Sequence, residues 1–106
     1  MMEESEIAVI FTSQRRMGDD AAYDAMATEM ATLAAAQPGF RGLESARRPD
    51  GFGITVSYWA DEASVVAWKA NAAHLVAQRR GQETFYDNYA VRVARVTRSY
   101  QFPPCS

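Results

Sequence analysis

The sequence predicts an α+β domain in which four strands form one antiparallel sheet and two helices cover one face of it. Three observations predict this class. The length of 106 residues fits a single domain. Some segments alternate apolar and polar residues as strands do, whereas others repeat apolar residues at helical spacing. The segments follow the order β-α-β-β-α-β, which is the split βαβ or ferredoxin-like arrangement. The domain spans residues 1–106, with a core over residues 6–100 and a tail over 101–106.

The first strand is predicted from Ile7 to Ser13, with apolar side chains on both faces. The first helix is predicted to open at Gly18-Asp19-Asp20, because an aspartate can accept hydrogen bonds from the first helical turn. Gln37-Pro38-Gly39 ends it, since proline cannot continue the helical hydrogen bonds. The predicted apolar stripe of this helix consists of Ala22, Met26, Met30 and Leu33.

The next two strands are predicted to form a hairpin. The second strand covers Phe40 to Arg47, and the third covers Phe52 to Trp59 with regular alternation. Between them, Arg48-Pro49-Asp50-Gly51 predicts a tight turn, because proline presets one backbone angle and glycine accepts a positive φ.

The second helix is predicted to begin after Asp61 and to end at Arg79-Arg80-Gly81. Asn71 is a candidate interruption of this helix, because its side chain can cap a separate turn. The last strand is predicted from Tyr89 to Tyr100. Its apolar residues change phase before Val96, which predicts a bulge near Ala94-Arg95.

The two helices cover only one face of the predicted sheet. The other face carries Ile10 or Phe11 together with Tyr58 or Trp59, so it is too apolar to face water. We therefore expect a homodimer formed sheet to sheet.

Composition and charge exclude several classes of protein. The chain is 48% hydrophobic and 23% charged, as folded proteins are. A net charge of −2 argues against a general nucleic-acid binder. No apolar stretch is long enough for a membrane helix, and the acidic start Met1–Glu6 is unlike a secretory signal. A single cysteine, Cys105, cannot form an internal disulfide, which favours a cytoplasmic location.

No metal-binding, phosphate-binding or nucleophile-elbow motif occurs, so no cofactor is predicted. What remains is a set of ring-bearing side chains in and around the second helix. They are Tyr58, Trp59, Trp68, His74, Phe85, Tyr86 and Tyr89. An apolar pocket with a few polar groups suits a flat aromatic ligand. The alternative is that these rings form only core and dimer contacts.

Two of these side chains are candidates for chemistry. Trp59 ends the third strand, where its side chain can lie between sheet and helix. Histidine is the side-chain type whose unperturbed pKa is near neutrality, so His74 is the natural acid-base candidate. On a continuous helix it lies roughly 150° from the apolar stripe, so a functional role requires an interruption at Asn71.

The run Tyr58-Trp59-Ala60-Asp61-Glu62-Ala63, followed by Trp68, His74, Gly81 and Phe85-Tyr86, resembles the antibiotic biosynthesis monooxygenase family. The segment QPGFRG at 37–42 resembles the helix-to-strand junction of the same family. The likeness extends over residues 7–100. It implies a dimeric α+β barrel in which the two sheets pack together. Family members include cofactor-independent oxygenases of polyketide aromatics, quinol monooxygenases and haem-degrading enzymes.

The resemblance implies a monooxygenase that oxidises a small aromatic or quinol-like substrate with dioxygen and without a cofactor. Loss of a proton makes such a substrate electron-rich enough to reduce dioxygen, while the protein supplies a base and a donor to the oxyanion. Trp59 is the candidate donor and His74 the candidate base. The candidate substrate-binding residues are Tyr58, Trp68, Phe85 and Tyr86.

Two other functions stay open, because neither known site of the family is complete. The polyketide oxygenases have an Asn and a Tyr where this chain has Thr55 and Val65. The haem-degrading enzymes have an iron-binding His where this chain has Gln78. One alternative is a haem-degrading monooxygenase with His74 as a displaced ligand. The other is a non-catalytic dimeric module for ligand binding or stress response.

Overall fold

The computed structural model of the chain describes residues 6–18, 20–79 and 86–104, with side chains described for all of these except residues 20 and 74–79. The elements occur in the predicted order β-α-β-β-α-β. Their bounds are β1 Glu6–Arg15, α1 Asp20–Ala35, β2 Phe40–Arg47, β3 Phe52–Trp59, α2 Glu62–Arg79 and β4 Tyr86–Val96. The strands form one antiparallel sheet in the order β2-β3-β1-β4, which confirms the ferredoxin-like fold.

The β2–β3 hairpin closes through the predicted turn. The Gly51 N–H donates to the Arg48 carbonyl at 2.9 Å, and Gly51 has a φ of 97°, in the region that favours glycine. The Asp50 carboxylate accepts hydrogen bonds from the Arg48 guanidinium and from the Phe52 N–H. These bonds, the one from Arg48 first, hold the pKa of Asp50 below its ordinary value.

The register separates the side chains of the sheet into two faces. Ile7 lies opposite Trp59 on β3 and opposite Arg95 on β4, so these three side chains share a face. This is the helix-side face, because Ile7 and Trp59 pack with Ala34 of α1 and Val65 of α2. Alternate residues form the open face, which the two helices do not cover. Its apolar members include Ala8, Ile10, Ala46, Ile54, Val56, Tyr58, Ala90, Ala94 and Val96.

Two separate clusters of apolar side chains hold the helices to the sheet. The Trp59 cluster consists of Ile7, Ala34, Trp59 and Val65, with Val9, Phe40 and Trp68 packed against it. The Tyr23 cluster consists of Tyr23 and Met26, with Ala22 and Tyr86 packed against it. They lie at opposite ends of the helix-side face. Met26 belongs to the predicted stripe of α1, whereas Tyr23 and Ala34 do not.

Three local expectations were wrong. The pairing of β1 with β4 is regular through Ala94 and Arg95, and the register shift lies instead between Gln14 and Arg15. β4 covers Tyr86–Val96 rather than Tyr89 to Tyr100. α2 is continuous through Asn71, whose side-chain amide donates to the Ala67 carbonyl at 3.2 Å and to Gln37 Oε1 at 3.0 Å. The asparagine is satisfied within the helix and against the α1–β2 connection, so it does not interrupt α2.

The start of α2 is fixed by a cap and a close contact. Asp61 Oδ1 accepts from both the N–H and the hydroxyl of Ser64, at 2.8 Å each, as an N-cap residue does. These bonds hold the pKa of Asp61 below its ordinary value. Gly39 packs directly against Ser64, and its carbonyl accepts from the Ala60 N–H at 2.8 Å. In the described part of the chain, neither helix is long and apolar enough to cross a membrane.

Candidate functional site

Trp59 occupies the centre of the larger cluster and has no exposed surface. Its indole ring is stacked on that of Trp68, with centroids 5.6 Å apart and an interplanar angle of 22°. The ring of Phe40 meets it edge-on at 5.4 Å. Rings in these orientations attract each other beyond their burial. The position of Trp59 is therefore fixed from two sides.

The indole N–H of Trp59 donates to the hydroxyl of Ser57 at 2.8 Å. The two residues share the helix-side face because they are two positions apart on β3. Ser57 is 6% exposed and lies opposite Val9 on β1 and Leu43 on β2. Ser57 was not among the site residues predicted from the sequence. The signal that identifies it is the presence of a hydroxyl two residues before a strand-end tryptophan.

The middle of the helix-side face is incompletely covered. Leu43 on β2 is 40% exposed, and Val91 and Val93 on β4 are 51% and 50% exposed, although all three side chains are on this face. Thr55, between Ser57 and the far end of β3, is half-buried. Leu43 and the two valines lie on opposite edge strands, whereas Val9 and Phe11 on β1 between them are half-buried. The strip of sheet between the two clusters is thus partly exposed at its β2 and β4 edges, and Ser57 lies at its boundary beside Leu43. A flat apolar molecule can contact such a surface.

The Tyr23 cluster provides a polar, positively charged end to the same face. The Arg47 guanidinium donates to the Tyr23 hydroxyl and to the Gly51 carbonyl. The guanidinium carbons of Arg15 and Arg47 lie 4.3 and 5.2 Å from the centre of the Tyr23 ring, as in cation–π contacts. Burial first, and then the neighbouring Tyr23 hydroxyl, raise the pKa of Tyr86 far above its ordinary value, so Tyr86 is a neutral hydrogen-bonding group.

A second concave surface lies on the open face of the sheet. This open-face groove has a volume of about 780 Å³, and the tail after β4 forms one wall of it. Its lining includes Glu6, Ala8, Ile10, Glu44, Tyr58 and Tyr100. The Tyr58 hydroxyl donates to the Glu44 carboxylate at 2.7 Å, and this bond, aided by burial, raises the pKa of Tyr58. The polar side chains of the groove thus carry both charges and neutral groups: they are Glu6, Glu44, Arg41, Tyr58, Ser99, Tyr100 and Gln101.

The structure brings together some of the predicted site residues and separates others. Trp59 and Trp68 are in contact on the helix-side face, and Tyr86 lies on that face at the opposite end. Tyr58 lies on the open face, because adjacent residues of a strand point in opposite directions. His74 is in α2, but its side chain is outside the described residues, as is Phe85. Among the described residues, no three His, Cys, Asp or Glu side chains are grouped as metal ligands would be.

Comparison with known proteins gives a consistent result. The model of the antibiotic biosynthesis monooxygenase family matches residues 6–80. The uncharacterized protein YqjZ of Bacillus subtilis is 45% identical over 95 residues, which cover 90% of this chain and 82% of YqjZ. The jasmonate monooxygenase ABM of Pyricularia oryzae is 39% identical over 56 residues, 53% of this chain and 26% of that protein. SnoaB, a cofactor-independent oxygenase from Streptomyces nogalater, has the same fold, with a TM-score of 0.68, 16% identity and coverage of 93% and 98% of the two chains.

Proposed function

The chain belongs to the antibiotic biosynthesis monooxygenase family, and on that premise we propose that it is a cofactor-independent monooxygenase of a small aromatic or quinol-like substrate. The observation that carries the proposal is the hydrogen-bonded pair of Trp59 and Ser57 at the boundary of the strip between the two clusters, beside the partly exposed Leu43. A flat ring bound along this strip would have the pair as a fixed polar group beside it.

The proposed reaction needs no electron carrier, because the substrate itself reduces dioxygen. An ionised phenol or enol passes one electron to dioxygen, and the resulting radical and superoxide combine through a new carbon–oxygen bond. The peroxide anion regains the proton that the substrate first lost, and the resulting hydroperoxide loses water, so that a ring CH₂ and O₂ give a ring C=O and H₂O. The protein favours the first step by stabilising the substrate anion in a poorly solvated place.

The structure supports the proposed roles of the predicted site residues to different degrees. Trp59 and Trp68 provide ring surface at one end of the strip, and Tyr86 provides it at the other. Tyr58 faces the open-face groove and would contribute only to a ligand or subunit bound there. His74 stays a prediction as the base. The interruption at Asn71 on which its role depended is absent, and a His74→Ala variant tests it directly.

Two similar proteins with named activities support the proposal of an oxygenase. The fungal relative is a jasmonate monooxygenase, and SnoaB is a cofactor-independent oxygenase with the same fold. The proposed partners are therefore a small aromatic molecule and dioxygen, and the proposed location is the cytoplasm. The experiment below distinguishes this proposal from the two alternatives, haem degradation and ligand binding without catalysis.

We expect the purified chain, free of added flavin and metal and treated with a chelator, to consume dioxygen when given an anthrone or a hydroquinone. An oxygen electrode measures the rate, and autoxidation of each substrate in buffer is the control. A rate at background with both would contradict the proposal. Uptake only with hemin and a reductant would indicate haem degradation, whereas binding without uptake would indicate a ligand-binding module.

We also propose that the protein is a homodimer whose open faces pack against each other. Val56 is the central apolar side chain of the open face, between Ile10 on β1 and Glu44 on β2. We expect Val56→Asp to convert the dimer to a monomer in sedimentation velocity at micromolar concentration, because a buried unpaired charge is strongly unfavourable at an interface. Val66→Asp, on an exposed position of α2, is the matched control and should leave the dimer intact. A wild-type monomer would contradict this proposal.

A further inference from the structure

We propose that Ser57, rather than the indole of Trp59, donates the hydrogen bond to the ionised oxygen of the substrate. The site would accordingly select molecules that bind as oxyanions, such as phenolates and enolates. This inference rests on the proposed function, because it assigns a substrate class and a catalytic residue to the same site. It makes Trp59 a positioning residue.

The available donors lead to this assignment. An indole has one N–H and no acceptor, and the N–H of Trp59 already donates to Ser57 Oγ at 2.8 Å. A hydroxyl accepts two hydrogen bonds and donates one. Within the described residues, Ser57 accepts the bond from Trp59 and its own proton has no protein acceptor. The free donor of the pair is therefore the serine hydroxyl.

The arrangement also makes Ser57 a better donor than an ordinary serine. Accepting a hydrogen bond polarises the hydroxyl, so the bond that it donates becomes stronger. The indole that donates to it is held by Trp68 and Phe40, which fixes the serine oxygen as well. A donor that is already oriented needs no reorganisation when charge develops on the substrate.

The substrate oxygen would approach Ser57 from the β2 edge of the sheet. Ser57 lies beside Leu43 on that edge strand, and Leu43 is 40% exposed on the same face. The burial of Ser57 reduces competition from water, so a hydrogen bond to an anion is stronger there than at the surface.

A probe that reports its own ionisation tests the assignment. We expect wild-type protein to bind 4-nitrophenol as the phenolate, with the pKa of the bound phenol, followed by absorbance, below that of the free compound. Ser57→Ala should abolish this pKa shift and weaken phenolate binding by about tenfold to a hundredfold, the typical effect of losing a hydrogen bond to a charged group. Ser57→Thr retains the hydroxyl and should restore most of the shift.

The matched control is Ser13→Ala. Ser13 is also on the helix-side face and is 1% exposed, but it lies opposite Gly53 and Tyr89 at the other end of the sheet. Its substitution should leave the pKa of the bound phenol unchanged. Trp59→Phe keeps a ring but removes the N–H, so it should give a shift between those of wild type and Ser57→Ala. Thermal unfolding of each variant confirms that it is folded.

The inference is overturned if Ser57→Ala binds the phenolate as wild type does, if Ser13→Ala has the same effect, or if wild type does not bind 4-nitrophenol. Its failure is distinguishable from that of the proposed function. If the pKa shift depends on Ser57 but no oxygen is consumed, the oxyanion site is supported and the proposed oxygenase activity is contradicted. If oxygen is consumed equally by wild type and Ser57→Ala, the oxygenase activity is supported and the role of Ser57 is contradicted.

Discussion

Replacing Trp59 by alanine is expected to lower the free energy of unfolding by about 3–5 kcal/mol. The side chain has no exposed surface and touches both helices and two other rings. Its removal leaves a cavity and also deprives Ser57 of a hydrogen bond. Since small domains are stable by about 5–15 kcal/mol, the variant should lose a large part of its stability.

Chemical denaturation at 25 °C, with the slope compared between variants, measures this loss. Trp68→Ala is the matched control, because Trp68 is the other half of the stacked pair but is only partly buried. It should cost clearly less. An equal loss in the two variants, or a loss below about 1.5 kcal/mol for Trp59→Ala, would contradict the central position of Trp59.

Gly39→Ala is expected to cost about 2–5 kcal/mol, because two penalties combine at this position. Gly39 has a φ of +87°, where a Cβ is unfavourable, and that Cβ would lie 2.1 Å from Ser64 Oγ and 2.7 Å from Ser64 Cβ. Ser64 cannot rotate away without cost, since its hydroxyl donates to the capping carboxylate of Asp61. The substitution thus pushes α2 away from the α1–β2 connection.

A double-mutant cycle separates the two penalties, with thermal unfolding as the measurement. Ser64→Gly removes the atoms that clash, so we expect it to recover part of the loss caused by Gly39→Ala. Gly18→Ala is the matched control, because a Cβ there meets nothing within 4 Å. Its effect should be smaller than that of Gly39→Ala. The same loss at both glycines would mean that the contact with Ser64 is unimportant.

The order of elements was predictable because most of the elements have a clear local signal. Alternation of apolar and polar residues marks β3, and the Asp61 cap marks the start of α2. The turn before β3 has a glycine, Gly51, at the position that requires a positive φ. The bulge predicted near Ala94 was wrong for a physical reason. Both faces of the sheet are apolar, so Val93 can face the helices and Val96 the open side without any change of register.

The candidate site was less predictable because its contacts are long-range. Tyr23 was absent from the predicted stripe of α1, since the partner of its hydroxyl is Arg47, 24 residues away. Tyr58 and Trp59 were grouped as one site, although the pleat of β3 directs them to opposite faces. The pairing of Trp59 with Ser57 is local, but only the fold shows that the serine is buried and that the indole is held by Phe40 and Trp68.

The two clusters share no residue, and this has a consequence for how the domain can diversify. Packing between helices and sheet is concentrated in these clusters, whereas Leu43 on β2 and Val91 on β4, at the two edges of the sheet between them, are partly exposed and contribute little to it. The side chains at these two edge positions can therefore change in size or polarity with small effects on folding. Homologous proteins with this fold can therefore evolve different ligand specificities at these positions without prior stabilising mutations.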